Sequence, residues 1–249
     1  MLNLLIKIEI FSSIIVFIIL LFIKAPYGRH FKEGFGFVIP SRYAWIIMES
    51  FAFFIFGIII LLNFKNIGFY GLFFASLWEL HYFYRTFIYP FLLTRPQKPF
   101  PFLIVVFGII FNVINGCTNG LFFVENGNYY LGEKWILDFR FIIGISFFII
   151  GFFIHFNSDK IIRTLKKKNS NEYFIPNKGL FRIISCPNYL GEIIEWSGFA
   201  LATWSLAAFA FALFTFANLF PRALSNHKWY KNKFPEYPKN RKAIIPFLI

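Results

Sequence analysis

LGEIIEWSGFALATWSLAAFAFALFTFANLF, the stretch from Leu190 to Phe220, is apolar almost without a break. A helix rises 1.5 Å per residue, so about 20 such residues cross a hydrocarbon layer of ~30 Å. The stretch is too long for one perpendicular span. One long tilted helix would accommodate it, but two helices turning near Thr203–Ser205 fit better. Outward from here, further apolar runs occupy Leu4–Ile23, Tyr43–Leu62, Ile67–Tyr89, Pro101–Val124 and Ile136–Phe156. The reading is an all-α integral membrane protein with seven transmembrane helices in one domain, residues 1–249. No linker-like stretch and no internal repeat divides it.

Composition agrees. Of 249 residues, 58% are hydrophobic and 15% charged, and 40 are Phe. Soluble domains run at roughly 45–50% and about 25%. With a mean hydropathy of +0.62, the chain cannot confine its apolar surface to a soluble core, and lipid must be its solvent. The first run resembles a secretion signal but is too long for one, and Lys24-Ala25-Pro26 offers no small-residue cleavage site. It reads as a retained span. Cys117 and Cys186 lack metal-ligand spacing and read as free thiols.

Charge gives orientation. With the N-terminus outside and the C-terminus in the cytosol, most basic residues fall on the cytosolic side. They are Lys24, Arg29, Lys32 and Arg42; Arg95 and Lys98; the cluster Lys160, Arg163, Lys166, Lys167, Lys168, Lys178 and Arg182; and the tail from Arg222 to Lys242. This is the positive-inside pattern, and six spans would spoil it. The net charge of +13 therefore requires no nucleic acid. Basic loops facing anionic lipid headgroups account for it, and some of the same cations can hold a polyanionic cofactor. Nothing demands an obligate protein partner.

Ionisable residues inside apolar runs are the informative ones: Glu49 in span two, Glu79, His81 and Arg85 in span three, Glu192 and Glu195 at the start of span six. A mid-membrane charge costs about 2.5–3.5 kcal/mol even on the lenient insertion scale, so such groups face protein or a wet cavity. They read either as interhelical ties or as a site. A carboxylic acid in apolar surroundings keeps its proton and donates a hydrogen bond. Beside a tyrosine hydroxyl it polarises a carbonyl, which conjugate reduction needs as negative charge collects on oxygen. Glu49 and Tyr82 are the pair of that kind.

The segment after span five carries Asn157-Ser158-Asp159-Lys160, Arg163 and Lys166–Lys168, then Tyr173 and Ser185-Cys186-Pro187-Asn188-Tyr189-Leu190-Gly191-Glu192. It holds neither G-x-G-x-x-G nor a Walker lysine, so a phosphorylated cofactor would rest on Arg, Lys and Asn side chains. Lys166–Lys168 also reads as a solvated charge run or a lipid contact, and Asn188 as a helix N-cap.

Several stretches resemble the steroid 5α-reductases, the 3-oxo-5α-steroid 4-dehydrogenase family. They are Asn188 to Trp196 (NYLGEIIEW), Ala200 to Leu206 (ALATWSL) and Tyr237 to Phe247 (YPKNRKAIIPF), with shorter matches at Tyr27-Gly28-Arg29, Trp45 with Glu49, His81-Tyr82-Phe83, Arg85-Thr86-Phe87 and Asn157-Ser158-Asp159. The resemblance implies a seven-helix fold enclosing substrate and NADPH, with the cofactor admitted from the cytosolic side and held mostly by residues 157–249. It places the substrate's 3-oxo group on Glu49 and Tyr82. It places cofactor contacts on Asp159, Arg163 or Lys166, Tyr173, Asn188, Glu192, Trp196, Arg222 and Tyr230, with Tyr27 and Arg85, and implies no metal. Two departures stand out. Met48 replaces the Gln that steroid-specific members place before the helix-two Glu, and a His-rich stretch is reduced to Ser225-Asn226-His227, where the cofactor contact falls to Asn226 or is lost.

The expected activity is NADPH-dependent reduction of the Δ4 double bond of a 3-oxo steroid or similar lipid enone. The expected location is the endoplasmic reticulum in a eukaryote or the inner membrane in a bacterium. A polyprenol or enoyl-lipid reductase is an alternative. So is a membrane methyltransferase of the isoprenylcysteine carboxyl type, echoed by Cys186-Pro187-Asn188-Tyr189-Leu190-Gly191 but opposed by the Glu49/Tyr82 pair and the tail motif. A third, non-enzymatic reading is a transporter or lipid-binding scaffold, which predicts no cofactor and no turnover and is disfavoured by seven spans without inverted repeats.

Overall fold

The computed structural model describes residues 1–127, 134–165 and 172–249. Among these lie seven α-helices: α1 (Leu2–Phe22), α2 (Ser41–Leu62), α3 (Phe69–Phe83), α4 (Phe102–Glu125), α5 (Phe139–Leu165), α6 (Pro187–Thr203) and α7 (Leu206–Lys233). Five of them, α1, α2, α4, α5 and α7, are long and apolar enough to cross a membrane. The molecule is thus an all-α, multi-pass membrane protein. Its helices leave large apolar side chains uncovered, such as Phe11 and Ile18 on α1, Phe54 on α2 and Phe153 on α5, because lipid solvates them.

The long run divides where its sequence suggests. Trp204, after α6, takes a left-handed conformation with φ 48°, the usual way of ending a helix without a break in the chain. The Arg140 guanidinium lies over its ring at 4.9 Å. Three boundaries differ from the hydropathy reading. α5 continues to Leu165, so Asn157, Ser158, Asp159 and Arg163 sit on its last turns and not in a loop. α7 likewise continues past Phe220 through Arg222 and Tyr230 to Lys233. Hydropathy marks where lipid ends, while a helix persists as long as its residues tolerate it. α3, in turn, stops at Phe83 and widens into a π-helical turn, Tyr84–Ile88. Pro90 follows and has no N–H to offer the carbonyl one α-turn back, at Thr86.

The chain forms two compact units. One comprises Met1–Glu9, Ala25–Asp138 and Ser205–Ala207. Here α4 lies against α2 through small residues. Side chains added at Gly116 or Gly120 would meet Ile55 and Ile59, and one at Gly108 would strike Met48 Sδ at 2.7 Å. Membrane helices gain nothing from hiding apolar surface from lipid, so they associate where backbones can approach closely. Ala44, Met48, Phe100 and Val105 form a core joined by Tyr27 and Trp45. A short antiparallel pair, β1 (Val38–Pro40) and β2 (Pro99–Pro101), sets Ile39 opposite Phe100 and ties the approach to α2 to that of α4.

The other unit comprises Ile10–Lys24, Phe139–Trp204 and Ala208–Ile249. Its α5 and α6 touch backbone to backbone. Gly144 and Gly151, two turns apart on α5, face Ala202 and the Gly191–Glu195 backbone, and Gly198 of α6 faces Phe148. The C-terminal tail is zipped to the segment before α6. Ser185 N–H bonds Lys242 O at 2.8 Å, Lys242 N–H bonds Ile183 O at 2.9 Å, and the Arg241 guanidinium bonds Pro176 O at 2.9 Å.

Candidate active site

In the first unit, the π turn turns Arg85 toward α2. Its Nη2 donates to Glu49 Oε1 at 2.9 Å, and both side chains are buried. The guanidinium also rests over the rings of Trp45 at 4.6 Å and Tyr89 at 4.9 Å. Glu49 thus has a cation as its partner. Oε1 is engaged by Arg85, and Oε2 is left for another contact. Tyr82, 4% exposed, lies one turn before Arg85 with its ring against Trp78 and His81. Tyr27 lies tilted against Phe100 at 4.7 Å, and Phe100 in turn meets Trp45.

A row of polar residues on α4 completes the setting. Asn112 Nδ2 donates to Met48 O at 2.7 Å, just before Glu49, and Asn115 Nδ2 donates to Tyr82 Oη at 3.5 Å. Asn119 Nδ2 donates to Asn115 Oδ1 at 2.9 Å and to its backbone carbonyl at 3.2 Å. All three asparagines are buried. The sequence reading passed over them because it searched for ionisable groups. Their spacing along an apolar span, i, i+3 and i+7, was the available signal. It also passed over Glu9, fully buried on α1 beside Thr118 of α4. Glu79, by contrast, packs against Gly57 of α2, and neither of its oxygens has a hydrogen-bond partner among the described residues.

In the second unit, the close α5–α6 approach joins Asp159 to Asn188, whose Nδ2 donates to Asp159 Oδ1 at 3.3 Å. Asn188 is therefore not the N-cap of α6: Cys186 holds that position and Pro187 opens the helix. His155, absent from the sequence reading, lies between two carboxylates, 3.4 Å from Asp159 Oδ2 and 3.6 Å from Glu195 Oε2. From α7, Arg222 Nη2 and Asn226 Nδ2 reach the Tyr189 hydroxyl at 3.2 and 3.4 Å, the guanidinium lying over the ring at 5.2 Å.

The remaining expected cofactor residues are dispersed. Trp196 is 1% exposed and packs on Phe211 at 4.4 Å, inside the helix core. Tyr230 stacks on Tyr237 and Tyr173 meets Trp229 edge-on. Glu192 and Arg163 are half-buried on α6 and α5, and Lys166 lies outside the described residues.

Comparison with known proteins now decides the family. The family profile described as 3-oxo-5-alpha-steroid 4-dehydrogenase matches residues 98–249. The chain belongs to that family. The steroid 5-alpha-reductase DET2 of Arabidopsis thaliana is 40% identical over 237 residues, covering 93% of this chain and 90% of the relative. The 3-oxo-5-alpha-steroid 4-dehydrogenase 2 of Homo sapiens is 40% identical over 233 residues (92% and 90%). The 3-oxo-5-alpha-steroid 4-dehydrogenase 1 of Bos taurus is 36% identical over 247 residues (95% and 93%). As a member of the 3-oxo-5-alpha-steroid 4-dehydrogenase family, the chain is an oxidoreductase of the type that acts on a CH–CH group.

Proposed function

We propose that this chain reduces the Δ4 double bond of a 3-oxo steroid, or of a similarly flat lipid-soluble enone, with NADPH as reductant. The observation that carries the proposal is the buried grouping of Glu49, Arg85 and Tyr82 inside a unit otherwise made for lipid. Two acidic O–H or carboxyl groups and one fixed cation in an apolar setting suit a single task, the stabilisation of negative charge on a substrate oxygen.

The mechanism follows from these groups. The 3-oxo oxygen accepts from the Tyr82 hydroxyl and from a proton carried at Glu49 Oε2. Arg85, bound at Oε1, fixes the carboxyl plane and keeps the second oxygen aimed at the substrate. As the β-carbon is reduced, charge moves to the oxygen and both hydrogen bonds strengthen. The apolar walls exclude water from that charge, and a solvent proton completes the α-carbon. Bound NADPH supplies the hydride.

The second unit offers a donor set of the kind a phosphorylated nucleotide requires. Arg222 and Asn226 of α7 reach Tyr189 in the first turn of α6, beside Asn188, which gathers amide, phenol and guanidinium groups, and a guanidinium binds phosphate oxygens in pairs. Asp159, Arg163, Tyr173, Glu192, Trp196, Tyr230 and Lys166, with Tyr27 and Arg85 from the first unit, complete the proposed cofactor residues. Residues 157–249 carry most of them within one functional domain, 1–249.

Seven spans are proposed, with the N-terminus outside and the C-terminus in the cytosol. α3 together with its π turn, Phe69 to Ile88, is long enough to cross, and α6 crosses as the partner of α5. The basic residues then gather on the side from which NADPH arrives. The membrane is that of the endoplasmic reticulum in a eukaryote or the inner membrane in a bacterium.

The test is to purify the protein in detergent, add NADPH, and follow nicotinamide absorbance with a panel of 3-oxo-Δ4 steroids and enoyl lipids. Oxidation dependent on a 3-oxo-Δ4 steroid is expected. Binding of S-adenosylmethionine without oxidation of NADPH would instead support the methyltransferase reading.

A further inference from the structure

We infer that Asn115 is a positioning residue that orients the Tyr82 hydroxyl toward the substrate's oxo group, and that Asn119 holds Asn115 in the orientation this requires. The inference rests on the reading of Tyr82 as an oxyanion donor.

A phenol oxygen both accepts and donates, and its hydrogen rotates to suit its neighbours. A buried tyrosine facing an acceptor would therefore turn its hydrogen inward and have nothing to offer a carbonyl. Asn115 forbids this. Its Nδ2 faces Tyr82 Oη at 3.5 Å, so the phenol oxygen accepts at that side and its own hydrogen must point elsewhere. The sense of the amide is not arbitrary. Asn119 Nδ2 donates to Asn115 Oδ1 at 2.9 Å, which commits the carbonyl end of Asn115 to Asn119 and its amino end to Tyr82. Asn119 is fixed in turn by its second bond, to the Asn115 backbone carbonyl at 3.2 Å.

The order is directional: Asn119 donates to Asn115, Asn115 to Tyr82, and Tyr82 to the substrate. Chains of this kind polarise one another, so a phenol already accepting a hydrogen bond is the stronger donor. With Asn115 0% and Asn119 1% exposed, water cannot stand in for either amide. Burying two primary amides on one membrane helix is expensive unless each is satisfied, and here the satisfaction runs toward the reacting end of Tyr82. The 3.5 Å separation is long for a hydrogen bond. Catalytic contacts are often long before substrate binds and tighten afterwards.

The experiment is a double-mutant cycle on the full chain in detergent. Single-turnover reduction of tritiated progesterone, a 3-oxo-Δ4 steroid, is measured at saturating NADPH, so that thousandfold losses remain readable. Asn115→Leu is expected to slow reduction about five- to tenfold, the scale of one neutral hydrogen bond, with NADPH affinity within about twofold of the parent. In a Tyr82→Phe background the same change should add no further loss, because Asn115 acts through the hydroxyl. An Asn115→Leu rate equal to the parent's, or an equal loss in both backgrounds, overturns the inference while leaving Tyr82 as donor. A Tyr82→Phe enzyme as fast as the parent overturns the reading of Tyr82 itself. If Asn115→Leu does not fold, judged by lost NADPH binding, Asn119→Leu carries the same comparison, since it releases Asn115 without touching Tyr82.

Discussion

Arg85 Nη2 lies 2.9 Å from Glu49 Oε1, and the same guanidinium lies over the rings of Trp45 at 4.6 Å and Tyr89 at 4.9 Å. An ammonium group can replace the charge but neither the planar fork nor the stacking. Arg85→Lys should therefore lower the thermal midpoint in detergent and cut turnover at least tenfold. Arg85→Met, which leaves the buried Glu49 carboxyl without its hydrogen-bond donor at Oε1, should cost about 1–3 kcal/mol. Tryptophan-fluorescence melting with steady-state rates on the same preparations checks both. Equal stability of the Lys variant and the parent would remove the stacking from the account.

The contact between α5 and α6 predicts a contrast among glycines. A methyl group at Gly151 meets the backbone of Glu195 and Gly191, which cannot move aside. Gly151→Ala should destabilise by about 1–3 kcal/mol and weaken NADPH binding, because Asp159 and Asn188 face each other across this helix pair. At Gly57 the nearest atom is the Glu79 Oε1 end of a flexible side chain, at 2.9 Å. Gly57→Ala should cost much less. Paired thermal melts decide it.

Asn188 and Asp159 are proposed to act on the cofactor and not on the chemistry. Asn188→Ala should raise KM for NADPH about tenfold or more, the scale of a hydrogen bond to a charged group, with kcat within about threefold. A fall in kcat at unchanged KM would assign the pair to the reacting centre.

Ser185 holds the tail. Its Oγ lies 2.6 Å from both His227 Nδ1 and the Tyr237 hydroxyl, and 3.1 Å from Lys242 O. Burial pushes the Tyr237 phenol above its ordinary 10.0. A group whose folded pKa is raised contributes stability below its unfolded pKa and loses it as pH rises through the folded one. The clasp should thus hold at neutral pH and weaken as pH rises above about 10; burial also lowers the His227 imidazole below its ordinary 6.5, so acid weakens the clasp as well. Ser185→Ala should expose the tail to protease at neutral pH. Tyr237→Phe should abolish the alkaline weakening, read as the rate of tail cleavage against pH.

Helix number was legible because apolar runs the thickness of a bilayer have few other uses. The turn at Trp204 was legible because the run from Leu190 was too long for one span. The π turn at Arg85 was not, since it depends on Pro90 disturbing a helix whose residues are otherwise ordinary. The length of α5 escaped for a related reason: Asp159 and Arg163 are polar and read as loop, yet they continue a helix whose apolar part ends at Phe156. At the site, Glu49, Tyr82 and Arg85 announced themselves as ionisable or phenolic groups in lipid. That Arg85 pairs with Glu49 required the fold, and so did the hydrogen bonds of neutral Asn112, Asn115 and Asn119 to Met48, Tyr82 and Asn115, since these residues carry no charge to attract notice.

The most direct measurement follows the label from NADPH carrying deuterium at the transferable position of the nicotinamide, with progesterone as substrate. Reduction of the Δ4 bond with the oxygen held by Glu49 and Tyr82 predicts one deuterium at the β-carbon, a solvent-derived hydrogen at the α-carbon, and an intact 3-oxo group. Deuterium at the carbonyl carbon, or a product without label, would contradict the account.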